Sequence, residues 1–298
     1  MKFGYILPNY GDRISPQELV ELSKVCEQEG FDSVWATDHV IMPSELREPY
    51  GQVLEPLVTL SYIASATRRL RVGTSCIVIP QRNPVIVAKQ AAALDVLSGG
   101  RVLLGVGAGW AEKEFAYLNA DFKRRGRVMD ESVRLMKALW KDSVVDFQGE
   151  FFNVRGALFL PKPVRGDIPV WIGGNGPAAA RRAAALGDGW HPVGPDIADF
   201  SRGAEEIRSS GRDVTLSMRM TTDVRKKREP YTGTNGEKRL AVSGSSAEIR
   251  KAIDAYAEAG LGYYCASINH PKASEIVLDL KKFASEVLRS YAQGRGRS

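Results

Sequence analysis

The chain has 298 residues, of which 44% are hydrophobic and 26% are charged, and its formal net charge is +6 at pH 7. This length and composition suffice for a large hydrophobic core. No stretch reaches the roughly 18 apolar residues of a membrane span, and Met1 opens a strand-like run rather than a signal peptide, so we expect a cytoplasmic protein without membrane contact. The basic runs lack the interleaved aromatic residues of nucleic-acid readers, so we expect no nucleic-acid partner.

The three cysteines, Cys26, Cys76 and Cys265, are far apart in the sequence and odd in number. There is no Cys-x-x-Cys motif and no Cys/His cluster, which argues against a disulfide framework and against a metal site. We therefore expect three buried thiols and no metal.

Short apolar runs alternate along the chain with amphipathic segments of helical period. The predicted strands are Lys2–Leu7, Ser33–Ala36, Leu70–Ile79, Val102–Val106, Val170–Ile172, Gly189–His191, Thr215–Thr221 and Tyr263–Ile268. The predicted helices are Pro16–Glu29, Leu57–Thr67, Val85–Leu97, Arg127–Trp140, Ala178–Leu186, Ala198–Ser209, Ala247–Ala259 and Ala273–Tyr291. Because parallel strands need crossover helices, eight such units predict a (β/α)8 TIM barrel over residues 1–298, a single domain with its site at the C-terminal mouth.

Two insertions interrupt this alternation, at about 143–165 and 223–242. The first contains Phe147–Phe152, which we interpret as a hairpin. Long loops in compact domains are often lids, so both insertions are predicted to cover a site. The second contains Arg225–Arg228, a cationic run that could attract a polyanion or could be only a solvated surface. We expect the tail 292–298 to be disordered.

Asp38 and His39 follow the second predicted strand directly, at the barrel mouth where catalytic residues belong. The carboxylate could tune His39 and orient one of its ring nitrogens toward a ligand. Alternatively, Asp38 caps a turn and His39 has a structural role. The residues alone leave both readings open.

Small residues also interrupt the third predicted strand, in Gly73-Thr74-Ser75-Cys76. They could let a flat ring approach the backbone, or they could serve tight packing between barrel layers.

Two strand exits are rich in glycine. Gly105-Val106-Gly107-Ala108-Gly109-Trp110 could be a simple turn, whereas Gly173-Gly174-Asn175-Gly176-Pro177 leads into a helix and predicts an anion or phosphate site. Gly174, Gly176 and Ala179 also fit the dinucleotide pattern, but five βα-like units precede them. An NAD(P) enzyme therefore remains a weaker hypothesis.

Together with Leu94-Asp95 and Ser98-Gly99-Gly100-Arg101, these segments resemble the luciferase-like monooxygenase superfamily, particularly its coenzyme F420-dependent oxidoreductases. The resemblance implies a flavin or deazaflavin ring against the third strand, over a non-prolyl cis peptide that would be Ser75-Cys76. It also implies His39 and Asp38 as catalytic residues. The implied cofactor-binding residues are Ser75, Cys76, Gly107, Ala108, Gly109, Gly173, Gly174, Asn175, Gly176 and Pro177.

The chain departs from some F420-dependent dehydrogenases at two positions. They carry a glutamate directly after the third glycine of the strand exit and a tryptophan shortly after the Asp-His pair, whereas this chain has Trp110 and Pro43. We therefore do not expect alcohol or sugar dehydrogenase chemistry that depends on those two groups.

The leading hypothesis is hydride transfer between coenzyme F420 and a small organic substrate. The alternatives are an FMN-dependent two-component monooxygenase, which would need a flavin reductase, and a deazaflavin-binding protein without turnover. The resemblance also implies a homodimer and a possible flavin or F420 reductase partner.

Overall fold

The computed structural model describes residues 1–11 and 15–292. Its strands, in chain order, are β1 Lys2–Ile6, β2 Ser33–Ala36, β3 Arg71–Thr74, β4 Ile77–Val78, β5 Val102–Gly107, β6 Val145–Gln148, β7 Asn153–Ala157, β8 Val170–Gly173, β9 Gly189–His191, β10 Thr215–Asp223, β11 Tyr231–Thr232, β12 Lys238–Arg239, β13 Ala241–Ser243 and β14 Tyr263–Ser267. Eight of these pair in parallel in the order β1-β2-β3-β5-β8-β9-β10-β14, and β14 pairs with β1 again. The predicted (β/α)8 barrel is thereby confirmed.

The helices surround this sheet. They are α1 Pro16–Glu29, α2 Arg47–Tyr50, α3 Pro56–Ala66, α4 Pro84–Ser98, α5 Glu112–Tyr117, α6 Arg125–Lys141, α7 Pro177–Leu186, α8 Ile197–Ser209, α9 Ser246–Glu258, α10 Ala273–Phe283 and α11 Arg289–Ala292. Short 3-10 turns lie at Ser44–Leu46 and Ile79–Gln81, and a π-helical segment, Ala284–Leu288, joins α10 to α11. Capping boxes at Ser15 with Glu18 and at Ser245 with Glu248 fix the starts of α1 and α9.

The third predicted strand is not continuous. The Ser75–Cys76 peptide bond is cis, as the resemblance predicts, and it separates β3 from β4. The prediction of one strand over Leu70–Ile79 is therefore wrong in extent. β3 pairs with β2 and β5, and β4 resumes the pairing with β5. The backbone between them faces the barrel mouth.

Aromatic side chains fill the barrel interior. The rings of Trp35 and Trp171 lie 5.0 Å apart, and His191 stacks on Trp35 at 5.0 Å. A Cβ at Gly73 would lie 2.4 Å from Trp35, so this glycine makes room for the indole. Of the two interpretations of the small residues in the third strand, packing between barrel layers is the right one for Gly73.

The first insertion packs against α6. It contains the predicted hairpin, β6 with β7, and leads into the N-terminal end of β8. Glu131 accepts hydrogen bonds from the turn amides of Glu150, Phe151 and Phe152 at 2.7–2.9 Å, which fixes the hairpin against α6. Among the residues that the structure describes, none from this insertion lines the two cavities at the barrel mouth that are described below, so its covering role stays a prediction.

The second insertion follows the C-terminal end of β10 and forms the small hairpin of β11 and β12 at the mouth. Within the described residues, no helix has the length and apolar character needed to cross a membrane. The predicted disorder of 292–298 concerns residues outside the described part, except Ala292, which ends α11.

Candidate functional site

A cavity of about 340 Å³ opens at the C-terminal mouth of the barrel, and we call it the glycine-lined cavity. Every predicted site residue except Pro177 lines it. These lining residues are Asp38, His39, Ser75, Cys76, Gly107, Ala108, Gly109, Gly173, Gly174, Asn175 and Gly176. Pro177 begins α7 directly after Gly176. The structure therefore brings together residues from four strand exits that are far apart in the sequence.

His39 is oriented by a residue that the sequence analysis missed. Its Nδ1 lies 3.1 Å from Oε2 of Glu114, a buried residue of α5. Burial would raise the pKa of Glu114, but the hydrogen bond and charge of His39 and the Val40 amide hold that pKa below its ordinary value. An ionised Glu114 can only accept, so Nδ1 of His39 donates the hydrogen bond, and Nε2 is left for a ligand.

Asp38 has a different partner from the one expected. Its Oδ1 accepts from Nη2 of Arg82 at 2.7 Å, and its Oδ2 accepts from the Val78 amide at 2.8 Å. Burial raises the pKa of Asp38, and the charge of Arg82 opposes this. The expectation that Asp38 orients His39 is corrected, since this carboxylate instead ties the second strand exit to the segment after the cis peptide.

The ring of His39 lies between two aromatic side chains. Tyr50 is 4.7 Å away, and Trp110 makes an edge contact at 5.6 Å, both measured between ring centroids. Trp110 stands where the resemblance implies a glutamate in some F420-dependent dehydrogenases. The carboxylate that contacts His39 in this chain is that of Glu114.

Ser75 takes part in a chain of hydrogen bonds that leads into the barrel. Its Oγ lies 3.0 Å from Nε2 of His191, and Nδ1 of His191 lies 2.8 Å from Oγ of Ser217. Ser217 donates its own proton to the Trp190 carbonyl at 2.7 Å. Burial, with the nearby charge of Arg219, lowers the pKa of His191 to about 3, so the ring is neutral.

The directions of these bonds follow from that neutral ring. Because Ser217 already donates to Trp190, it accepts from Nδ1 of His191, and Nε2 is left as an acceptor. Ser75 must then donate its proton inward to His191. Toward the cavity, Ser75 presents only lone pairs.

Cys76 is half-buried at the cavity wall, so the expectation of three buried cysteines is wrong for this one, whereas Cys26 and Cys265 are buried. Burial of the thiol group raises the pKa of Cys76 to about 12, so it is not a thiolate nucleophile at neutral pH. A Cβ at Gly173 would lie 2.5 Å from its sulfur. The glycine at this strand exit is therefore needed beside Cys76.

The glycine loop ends at the start of α7, where Gly176 is the N-cap and no side chain in the described part of the chain caps the helix. A Cβ at Gly176 would meet nothing within 4 Å. Asn175 is already engaged, since its side chain bonds to the Val193 amide and carbonyl at 2.7 and 2.9 Å. The helix start and its backbone, rather than the Asn175 amide, remain for a ligand.

A second cavity of about 540 Å³ adjoins the first, and we call it the hairpin-lined cavity. It is lined by Tyr10, Pro49, Tyr50, Val193, Arg219, Thr221, Lys226, Lys227, Arg228, Glu229, Tyr231, Thr232, Gly233, Thr234, Arg239, Ser267 and Asn269. The second insertion contributes much of this lining, which agrees with the prediction that it covers a site.

Most of the cationic run in this insertion is paired with carboxylates. Arg225 bonds Asp279 at 2.6 Å, Arg228 bonds Asp223 at 2.7 Å and Lys227 bonds Glu248 at 2.7 Å. The expectation that the whole run attracts a polyanion is thus corrected, because three of its four charges are compensated.

Fold and cavity together define a (β/α)8 barrel with a cavity at its C-terminal mouth. The profile of the family described as luciferase-like monooxygenase matches residues 1–232, and the chain belongs to this family.

Two relatives that share sequence with the chain are F420-dependent glucose-6-phosphate dehydrogenases. That of Rhodococcus erythropolis strain PR4 is 38% identical and that of Mycolicibacterium fortuitum is 37% identical, each over 195 residues. Each alignment covers 64% of this chain and 56% of the relative. The chain therefore spans little more than half the length of these relatives.

Solved structures share the fold at low identity. An F420-dependent secondary alcohol dehydrogenase in complex with an F420-acetone adduct gives a TM-score of 0.79 at 22% identity, covering 96% of this chain and 98% of its own. Coenzyme F420-dependent tetrahydromethanopterin reductase from Methanopyrus kandleri gives a TM-score of 0.78 at 18% identity, and the match covers 97% of this chain and 99% of its own. Monooxygenase RslO1 from Streptomyces bottropensis gives a TM-score of 0.77 at 21% identity, and the match covers 98% of this chain and 100% of its own.

Proposed function

We propose that the chain is an oxidoreductase that binds coenzyme F420 in the glycine-lined cavity and exchanges hydride with a small organic substrate. The observation that carries this proposal is that His39, with Nε2 left for a ligand, shares one cavity with the glycine-rich strand exits and the uncapped start of α7. The relatives named F420-dependent favour this cofactor over FMN.

The residues of the cavity fit a planar cofactor that carries a phosphate. A helix start without a side-chain cap leaves amide donors and the positive end of the helix dipole for an anion, and Gly176 has no side chain in the way. The neighbouring wall of the cavity consists of residues with a small side chain or none, which leaves room for a flat ring. These residues are Gly107, Ala108, Gly109, Gly173 and Gly174. When bound, coenzyme F420 supplies the carbon that accepts or donates the hydride.

The side chains of this protein would position the cofactor and the substrate and would transfer a proton. His39 would hold or release at Nε2 the proton that joins or leaves the substrate as hydride moves. Glu114 holds the ring in that orientation, and the rings of Tyr50 and Trp110 shield it from water. Ser75 offers an acceptor to a cofactor N–H group, because its proton is committed to His191.

The test is a titration of dialysed protein with F420 and with FMN, followed by turnover assays with each. We expect F420 to bind with a Kd at least tenfold below that of FMN, and its absorbance to change in the presence of a substrate. Tight FMN binding with oxygen uptake on addition of reduced FMN would instead identify a monooxygenase. F420 binding without turnover with any acceptor or donor would identify a binding protein.

The proposal extends to partners. A homodimer and a reductase partner are implied only by the resemblance, and they remain predictions that sedimentation of the purified protein and co-purification would test.

A further inference from the structure

The two cavities at the mouth are in contact. Tyr50, Val193, Arg219 and Arg239 line both of them. A molecule in the hairpin-lined cavity can therefore reach the glycine-lined cavity beside His39.

Arg219 is a cation without a carboxylate partner in the described part of the chain. It projects from β10, is half-buried, and its Nη1 donates to Oγ1 of Thr37 at 3.0 Å and to the Ser75 carbonyl at 3.3 Å. Both of these acceptors are neutral. A partly buried guanidinium with neutral partners keeps an uncompensated charge and further N–H donors.

Arg239 faces the same space from the hairpin. Its Nη2 donates to Oδ1 of Asn235 at 3.2 Å, and its Nε is buried without a hydrogen-bond partner. It forms no ion pair with the residues that the structure describes. The hairpin holds it in place, because the opposite residue, Tyr231, bonds through its hydroxyl to Thr221 of β10 at 2.7 Å.

Aromatic rings lead from this cavity to His39. Tyr10 and Tyr50 are 5.6 Å apart in an edge arrangement, and Tyr50 lies 4.7 Å from His39. A flat apolar group could pack along these rings.

We infer that the hairpin-lined cavity binds the substrate, and that this substrate joins a planar or apolar body to an anionic group, a carboxylate or a phosphate, that Arg219 and Arg239 hold. This inference rests on the proposed function. The anion compensates the two charges, and the body lies along Tyr10 and Tyr50 with its reacting atom toward His39. Arginine is suited to both anions because its planar fork can donate two parallel hydrogen bonds.

The experiment measures the Kd of three small probes by ligand-observed NMR, with protein that is free of cofactor and with protein saturated with F420. The probes are benzoate, phenyl phosphate and the neutral benzamide. We expect at least one anion to bind at least tenfold more tightly than benzamide, and its affinity to fall with added salt. The better anion identifies which group the site takes.

We expect each of the variants Arg219→Gln and Arg239→Gln to raise the Kd of the anion by roughly ten- to a hundredfold and to leave the Kd of benzamide nearly unchanged. The matched control is Lys227→Gln, since Lys227 lines the same cavity but is paired with Glu248. This control should keep the preference for the anion. If one arginine variant fails to fold, the other variant and the salt dependence of the wild type still show whether these arginines hold the anion.

Three results would overturn the inference: equal binding of charged and neutral probes, a preference that survives both arginine variants, and displacement of the anion by F420. The last would assign Arg219 to the cofactor. Absence of F420 binding together with an arginine-dependent anion preference would remove the proposed function alone and leave an anion site.

Discussion

Glu114 reaches His39 from α5, five residues after the last glycine of the β5 exit. Its Oε1 also accepts from the Val40 amide at 2.7 Å, so one carboxylate fixes the ring and the backbone that follows it. This makes Glu114 a positioning residue for the proposed chemistry.

Replacing Glu114 with Gln should lower kcat about tenfold, because an amide can donate as well as accept a hydrogen bond and so no longer fixes which nitrogen of His39 carries the proton. The affinity for F420 should change little, so steady-state kinetics and a cofactor titration separate this positioning role from a loss of structure. Glu112→Gln, on an exposed position of the same helix, is the control and should keep the wild-type kcat. An unchanged kcat in Glu114→Gln would remove this role.

His39 itself carries the proton in the proposed reaction. We expect His39→Ala to lower turnover by about 10²- to 10⁴-fold while F420 affinity changes little. Steady-state kinetics and a cofactor titration on the same preparation check both parts, and near-normal turnover would exclude His39 from the chemistry.

His191 makes stability depend on pH. Its pKa is lowered to about 3 in the folded chain, whereas an unfolded histidine titrates near about 6.5, so below that pH the unfolded chain takes up the proton first. The free energy of unfolding should therefore fall as pH drops from about 6.5 toward 3, by up to about 1.4 kcal/mol per pH unit. Urea unfolding of the wild type and of His191→Asn between pH 5 and 7.5 checks this, since the asparagine variant should lack this slope.

At the scale of elements, the two insertions show what the sequence pattern could and could not tell. The residue pattern located both, and it identified the hairpin of β6 and β7. Their chain positions differ, since 143–165 leads into the N-terminal end of β8, whereas 223–242 leaves the C-terminal end of β10. Length alone predicts a covering role for both, whereas among the described residues only 223–242 lines a cavity at the mouth.

The turn of the first hairpin depends on one buried carboxylate. Glu131→Ala would leave the amides of Glu150, Phe151 and Phe152 without their acceptor, so we expect the free energy of unfolding to fall by about 3 kcal/mol. Glu150→Ala is the control, because that side chain forms only an exposed ion pair, and it should change stability by less than about 1 kcal/mol. Chemical denaturation of both variants measures these changes, and equal losses of stability would contradict the role of Glu131.

For the whole molecule, the alternation of strands and helices predicted the barrel because every unit repeats the same local pattern. The positions of the site residues at strand exits followed from that topology. The partner of His39 could not be predicted, since Glu114 reaches it across 75 residues through tertiary packing. The same holds for Asp38 with Arg82. It holds also for Arg219, which has no carboxylate partner among the described residues, because this depends on which side chains the fold brings near.

The barrel interior places a further demand on the sequence. A methyl group at Gly73 would meet Trp35 at 2.4 Å, and this indole is enclosed by Trp171, Tyr263 and His191. We expect Gly73→Ala to lower the free energy of unfolding by about 1–3 kcal/mol. Gly176→Ala, whose added carbon meets open space at a negative φ, should cost less, about 0.5 kcal/mol for a poorer N-cap, in the same thermal or urea unfolding measurement.

The edge contact between Trp110 and His39 gives the protein an intrinsic optical reporter. The other four tryptophans, Trp35, Trp140, Trp171 and Trp190, are at most 3% exposed, so Trp110 is the indole whose emission responds to solvent at the mouth. Because Trp110 lines the glycine-lined cavity, arrival of a ligand there changes the polarity around its ring. Emission from unlabelled protein, compared with that of Trp110→Phe, would then follow the filling of the cavity in real time.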